Sequence, residues 1–226
     1  MARFEIEVAA VDLRGHGRSE GARGHVDHWS QWVDDAAGFV DMLAAEGTRP
    51  VVPLGHSFGG VVLLSAVLHR RLRPARFVLS SPALRLRMAA PRWKILLGQV
   101  TSRTLPRLTF DNEVDPAAIS RLPEVVDAYR SDLQVHRSIS SRTYTEWRRA
   151  AEEGLSRAEE IDVPFFASHG SADPLIDPVG TEELVRRARV PGRELRLYPG
   201  RLHEPFNDSG NEEVFADLAC WLGLPA

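Results

Sequence analysis

The sequence predicts an α/β fold with a mostly parallel sheet, because short apolar runs alternate with amphipathic stretches along most of the 226 residues. The apolar fraction of 43% is enough to form the core of one ordinary domain without a disulfide or a metal ion. The runs that predict strands are residues 6–12, 51–54, 76–79, 163–168 and 194–198.

Helices are predicted where apolar residues recur at three- and four-residue steps. Residues 29–46 show this pattern with Trp29, Trp32, Val33 and Val40, and Gly47 is well placed to end the helix. Comparable patterns predict three further helices. One begins at Ser57 or Phe58 and runs to residue 68, and the other two span residues 181–189 and 211–222.

Residues 84–157 interrupt the alternation with clustered prolines and two helix-like segments, 117–130 and 144–153. This stretch is far longer than the roughly 2 to 6 residues of an ordinary loop in an α/β unit. We therefore expect a helical cap inserted into a core formed by residues 1–83 and 158–226.

Positive charge is concentrated at the start of the insertion, since no Asp or Glu occurs between residues 47 and 110. The Arg and Lys side chains are interleaved with apolar residues, among them Trp93, Leu96 and Leu97. Such a mixture is typical of a face that contacts anionic lipid or an amphiphilic substrate. A solvated basic surface over a small core fits the same pattern.

Composition excludes several classes of protein. With 28 basic and 31 acidic residues, the net charge of −3 argues against a nucleic-acid partner. Cys220 is the single cysteine, so an intramolecular disulfide framework is excluded, and nothing in the pattern requires a metal or another cofactor. No segment has the apolar core of a secretory signal or the length of a membrane span, and we expect a cytoplasmic protein whose oligomeric state the sequence leaves open.

The sharpest motif is Gly55-His56-Ser57-Phe58-Gly59, between an apolar strand and an apolar helix. This context is typical of a nucleophile elbow, a strained turn that projects a serine hydroxyl from the end of the sheet. The glycines are expected to give room where the strand and the helix come close together. The alternative is a glycine turn with an inert serine.

A serine needs a base to take its proton and an acid to orient the base, here in the chain order Ser, Asp, His. Of the eight histidines, His203 is the one that follows the last strand and the best acid. His169 precedes that acid. The acid itself is expected to be Asp173, in the loop after residues 163–168, with Asp177 as a competitor that reads better as a helix cap.

Four ordered segments together resemble the α/β-hydrolase family of monoacylglycerol lipases and bacterial lysophospholipases. They are Asp12-Leu-Arg-Gly-His-Gly-Arg-Ser19, Gly55-His-Ser-Phe-Gly-Gly60, His169-Gly-Ser-Ala-Asp173 and Gly200-Arg-Leu-His203-Glu. The resemblance implies an esterase that forms an acyl-enzyme on Ser57, with Asp173 and His203 at the other triad positions. It also implies a helical cap and an oxyanion donor in the backbone N–H of Phe58.

One departure from the family pattern concerns the first strands. Members of this family usually begin well before the position equivalent to Ile6, and a His-Gly loop in that part supplies a second oxyanion donor. The N-terminal strands of the usual fold are therefore expected to be missing here. Either residues 6–12 and 51–54 pair directly, another chain fills the gap, or the sequence is a fragment.

Three functions fit these observations. The leading hypothesis is a serine carboxylester hydrolase that acts on monoacylglycerols or similar short- and medium-chain esters. A lysophospholipase, or another acyl hydrolase or peptidase of the same fold, keeps the triad and changes the substrate. A catalytically weak, shortened hydrolase-like protein that binds lipid or small ligands is the third.

Overall fold

A computed structural model of the chain describes residues 6–47, 49–88 and 92–224, apart from the side chains of residues 92 and 94. In chain order its helices and strands are α1 Ser30–Glu46, β1 Leu54–His56, α2 Ser57–Leu68, β2 Phe77–Ser80, α3 Arg92–Thr104, β3 Thr109–Asp111, α4 Pro123–Ser131, β4 Ser138–Ser140, α5 Ser141–Ser156, β5 Phe165–Gly170, α6 Pro178–Arg187, β6 Glu194–Tyr198 and α7 Asn211–Leu222.

The main sheet contains four parallel strands in the order β1-β2-β5-β6. All six residues of β5 are buried, as expected for a central strand covered on both faces. Phe77 and Phe165 stack on the face covered by α1, α2 and α6, while Val78 and Phe166 meet Leu218 of α7 on the other face. The α/β architecture predicted from the sequence is thereby confirmed.

Helix α2 runs through the centre of the larger core. Nine consecutive residues from Gly60 to Leu68 are buried. A helix that is apolar all round must be enclosed, and α2 packs against β1, α1 and α5. The first residue of α2 is Ser57, so the serine is mounted on the most deeply buried helix in the described part of the chain.

The strand predicted at residues 6–12 is wrong. Among the described residues no strand pairs with this segment, and direct pairing with the segment at residues 51–54 does not occur. A strand needs a hydrogen-bonded neighbour, and without one the apolar residues of this segment stay in solvent: Val8 is 64% exposed and Val11 43%. The segment at residues 51–54 forms a ladder only from Leu54 onward.

The stretch at residues 84–157 contains α3, α4, α5 and the two-stranded antiparallel sheet of β3 and β4. The helix predicted at residues 117–130 is divided into a short 3-10 helix at Pro116–Ala118 and α4, because Pro123 lacks a backbone N–H and begins a new helix. The second predicted helix, 144–153, lies inside α5. Within the described residues, no helix is both long and apolar enough to cross a bilayer.

Candidate active site

Ser57 occupies a sharp turn between β1 and α2. Its φ is +51°, a left-handed conformation that is uncommon for a residue other than glycine. Gly55 makes this turn possible, because a Cβ there would lie 2.6 Å from the carbonyl oxygen of Gly59 and 2.8 Å from Cα of Gly60. The close approach expected at Gly59 is wrong: a Cβ there meets nothing within 4 Å, whereas one on Gly60 would lie 2.9 Å from Cβ of Pro82.

Phe58 follows Ser57 in the first turn of α2, where backbone N–H groups have no acceptor inside the helix. The amide of Phe58 is therefore available to a negatively charged oxygen beside Ser57. The Phe58 ring is held edge-on by Trp29 and Trp32, at centroid distances of 5.2 and 4.9 Å, and Trp147 of α5 lies 6.2 Å away. This aromatic packing fixes the residue that carries the amide.

Asp173 and His203 are in direct contact. Oδ2 of Asp173 lies 2.7 Å from Nδ1 of His203, and Oδ1 accepts hydrogen bonds from the backbone N–H groups of Leu175 and Ile176 at 2.8 and 3.0 Å. The carboxylate is completely buried. Burial alone would raise the pKa of Asp173, but hydrogen bonds from His169 and His203 outweigh it and hold the pKa well below its usual value.

His169 is the site residue that sequence reasoning missed. Its ring is fully buried at the end of β5, with Nε2 3.0 Å from Oδ2 of Asp173 and Nδ1 2.7 Å from Oγ1 of Thr181. The four-residue spacing to Asp173 was the available signal. That spacing indicates contact only when the loop between the two residues turns back on the strand end.

The loop that carries His203 is held against two other parts of the chain. A side chain at Gly170 would clash with the carbonyl oxygens of Leu202 and Arg201, so the end of β5 approaches this loop closely only because residue 170 is glycine. On the other side, the backbone N–H groups of His203 and Glu204 donate to carbonyls of the inserted segment, those of residues 118 and 119, at 3.3 and 2.8 Å.

His203 also contacts the residue that precedes the serine, since the ring centroids of His203 and His56 are 4.8 Å apart. Burial and the neighbouring His203 lower the pKa of His56 to about 3. His56 is thus neutral at physiological pH and does not compete as a base. Among the described residues neither Ser57 Oγ nor His203 Nε2 has a hydrogen-bond partner. In many hydrolases the hydrogen bond between the serine and the histidine tightens only when substrate binds.

The other predicted candidates make none of the contacts described above. Asp177 caps α6 by accepting from the N–H of Val179. Trp93, Leu96 and Leu97 lie on α3, where they are 63, 63 and 50% exposed.

A second set of serine, histidine and aspartate occurs in the fold. The ring of His25 places Nδ1 2.8 Å from Oγ of Ser140 and Nε2 3.2 Å from the carboxylate of Asp27. Ser140 is fully buried and caps α5 by accepting from the N–H of Thr143. This cluster connects the insertion to the core and gives no substrate access to the hydroxyl.

A half-buried left-handed serine at the start of a buried helix, with a free amide beside it and an aspartate–histidine pair at the same end of a parallel sheet, defines an α/β hydrolase of the serine type. Residues 1–210 match the family of serine aminopeptidases, S33. The chain belongs to this family.

Comparison with relatives and solved structures indicates the class of reaction. The monoacylglycerol lipase of Mycolicibacterium smegmatis is 32% identical over 217 residues, which cover 95% of this chain and 77% of the relative. Phospholipase YtpA of Bacillus subtilis is 28% identical over 210 residues, 92% of this chain and 81% of the relative. The crystal structure of the Paleococcus ferrophilus monoacylglycerol lipase has a TM-score of 0.85 and 29% identity, covering 93% of this chain and 80% of that one. These similarities identify the chain as a serine ester hydrolase.

Proposed function

We propose that the protein hydrolyses carboxylic esters through an acyl-enzyme formed on Ser57, with His203 as the general base and Asp173 as its orienting carboxylate. The observation that carries the proposal is the 2.7 Å contact between Asp173 Oδ2 and His203 Nδ1, on a ring that packs against His56. Because an ionised carboxylate can only accept, Nδ1 holds the proton and Nε2 is left with a lone pair. That tautomer is the one a base needs.

In the first half of the reaction Ser57 Oγ attacks the ester carbonyl carbon while His203 Nε2 takes the hydroxyl proton. The carbonyl oxygen becomes an oxyanion, which the N–H of Phe58 and the N-terminus of α2 stabilise. His203 then returns the proton to the oxygen of the leaving alcohol as the C–O bond breaks. In the second half, water attacks the acyl group with the same base, and the carboxylic acid and the free serine are released.

For the substrate we propose a monoacylglycerol or a similar short- or medium-chain ester. Support comes from the names of the relatives and from the apolar side chains of the insertion, including Trp93, Leu96 and Leu97. Lysophospholipids are the second candidate, favoured by the similarity to a phospholipase. The family description also points to aminoacyl amides, which share the acyl-transfer chemistry.

The mechanism is tested by intact-mass labelling with a fluorophosphonate. One adduct is expected on the wild type and on Ser131→Ala, which removes an exposed serine of α4, and none on Ser57→Ala. Ser57→Ala should also abolish hydrolysis of a short-chain nitrophenyl ester. A folded wild type that gives no adduct would contradict the mechanism and support the interpretation as a ligand-binding protein.

Substrate class is tested by comparing kcat/KM for a glycerol monoester, a lysophospholipid and an aminoacyl amide of similar apolar size. The glycerol ester is expected to be cleaved fastest. Faster cleavage of the amide would overturn the lipase assignment, and faster cleavage of the lysophospholipid would move the preferred head group to phosphoglycerol.

We also propose that the exposed face of α3 contacts anionic lipid. Leu96 and Val100 are 63 and 52% exposed on this helix, and Arg103 near its end and Arg107 just beyond are exposed beside them. Apolar side chains next to cations are the pattern of an interfacial helix. The protein should sediment with phosphatidylglycerol vesicles more than with phosphatidylcholine vesicles, and Leu96→Asp should weaken binding. Leu133→Asp, at a fully exposed leucine outside α3, is the control; an equal effect of both variants would contradict the proposal.

A further inference from the structure

One carboxylate oxygen of Asp173 accepts hydrogen bonds from two histidines. Oδ2 lies 2.7 Å from Nδ1 of His203 and 3.0 Å from Nε2 of His169, while Oδ1 is occupied by two backbone N–H groups. His169 is fully buried, and it lies at the end of a different strand from the loop that carries His203. The proposed mechanism above assigns it no role.

The hydrogen-bonding capacities of the three groups determine where the protons are. An ionised carboxylate offers only acceptors, so Nε2 of His169 must carry a proton in order to bond with Oδ2. In a neutral ring, the other nitrogen then accepts. Its partner is Oγ1 of Thr181 at 2.7 Å, and the hydroxyl therefore donates. The carboxylate thus sets the tautomer of His169, and Thr181, itself fully buried on α6, donates to the acceptor nitrogen of the ring.

We propose that His169, anchored through its acceptor nitrogen by Thr181, is a positioning residue that holds Asp173 Oδ2 on His203 and takes up part of the charge that this oxygen presents to His203. The inference rests on the proposed function, in which His203 is the base.

Two consequences follow from this geometry. The carboxylate cannot rotate away from His203 without breaking the bond to His169 as well as the two bonds to Oδ1. In addition, the hydrogen bond that His169 donates to the carboxylate takes up part of the negative charge of Oδ2 and weakens its attraction for a protonated His203.

Other ionisable groups around His203 are unchanged by substitutions at Thr181. His56 at the end of β1 packs on the ring, Glu204 follows His203 and binds the side chain of Asn207, and Asp208 is paired with Arg121 of the insertion. A change in the ionisation of His203 in a Thr181 variant is thus attributable to the contact between Thr181, His169 and Asp173.

The first test is the protonation of His169 in the wild type, read from two-bond proton–nitrogen couplings in protein labelled with ¹⁵N-histidine. The expected result is a neutral ring with the proton on Nε2. A ring protonated on Nδ1 alone, or on both nitrogens, would overturn the inference whether or not Ser57 reacts with a fluorophosphonate.

The second test is the pH dependence of kcat/KM in a pair of variants. Thr181→Val removes the donor to His169, whereas Thr181→Ser keeps it. In Thr181→Val the acid limb should move up by about half a pH unit to one unit, and kcat should fall with little change in KM, since the substrate does not contact this residue. Thr181→Ser should retain the wild-type profile.

Substitution of His169 itself provides a rescue experiment. His169→Phe removes the bond to Asp173, and His169→Gln retains an N–H that can donate to it, so activity lost in the first should return in part in the second. Identical pH profiles for the wild type and Thr181→Val would overturn the inference. Failure of the wild type to label on Ser57 would instead overturn the proposed function, so the two failures are distinguishable.

Discussion

Replacing Asp208 by Ala should destabilise the protein and release the loop that carries His203. The carboxylate is fully buried and accepts hydrogen bonds from the backbone N–H of Arg121 at 2.9 Å and of Leu202 at 3.1 Å, as well as from Nε of Arg121 at 2.9 Å. Leu202 immediately precedes His203, and Arg121 belongs to the insertion. One side chain thus connects the insertion to the loop of the proposed base.

The magnitude follows from the groups that lose their acceptor. Three partly buried backbone N–H groups lose their acceptor, because Ser209 also donates to Oδ1 of Asp208, at 2.9 Å. Each such group without a partner costs about 1 to 3 kcal/mol. The guanidinium of Arg121 is 42% exposed and returns to water, so it adds little. Since all three N–H groups are only partly buried, we expect a total loss of about 3 kcal/mol, at the lower end of that range. With an unfolding entropy of about 2.1 cal/mol/K per residue, this lowers the Tm by about 6 °C.

The assay is differential scanning calorimetry of Asp208→Ala beside the control Asp127→Ala. Asp127 is also an aspartate paired with an arginine, at 3.6 Å from Arg130, but its side chain is 74% exposed. The control should melt within about 1 °C of the wild type. The rate of fluorophosphonate labelling should fall in Asp208→Ala alone. An Asp208→Ala protein that melts with the control and labels at the wild-type rate would refute the reasoning.

Two further predictions concern the turn and acid stability. Gly55→Ala should lower the free energy of unfolding by more than about 3 kcal/mol, because the added Cβ would lie 2.6 and 2.8 Å from backbone atoms. Gly59→Ala is the control and should be neutral or stabilising by up to about 1 kcal/mol. Equal losses of the two variants in urea denaturation would contradict the close approach at residue 55. Asp173 and Asp208 have pKa values lowered in the folded state by hydrogen bonds that outweigh burial, so the stability they contribute is complete above the unfolded value of about 3.9 and is lost as the pH falls through the folded values. The free energy of unfolding of Asp208→Asn should therefore vary less between about pH 4 and pH 2 than that of the wild type, and parallel curves would exclude this linkage.

The sequence predicts best those elements in which the pattern of apolar side chains shows which face is buried. Helix α7 occupies the predicted residues, and α1 and α2 begin and end within one residue of the predicted bounds, because an apolar stripe or an apolar run states which face is buried. Residues 6–12 are a comparable short apolar run, yet they form no strand. A short apolar run becomes a buried strand only when a neighbouring strand is present to complete the sheet.

Shorter elements were beyond prediction for a different reason. Strands β3 and β4 have three residues each, too few for a period to be recognised, and their pairing depends on contacts between segments almost 30 residues apart in the chain. Helix α3 is not short, but it carries exposed apolar residues among its charges, so its pattern predicts a surface feature and gives no sign of a helix.

Some residues of the candidate site could likewise be predicted from the sequence, and others could not. Ser57, Asp173 and His203 follow strands in the expected order, and the structure brings Asp173 and His203 into contact. His169 and Asp208 act through hydrogen bonds that exist only after the loops have folded against one another. Such groups have no fixed spacing from the serine, and although His169 stands in one of the four family segments, the segment alone does not reveal its contact with Asp173.

The aromatic packing around Phe58 has a spectroscopic consequence. Three of the five tryptophans, Trp29, Trp32 and Trp147, lie within 6.2 Å of the Phe58 ring, and the rings of the first two are 5.7 Å apart. Three of the five ultraviolet-emitting side chains thus lie beside the residue whose amide is proposed to bind the oxyanion. The fluorescence of the unmodified chain is a reporter of that amide's surroundings, readable in stopped flow without any attached dye.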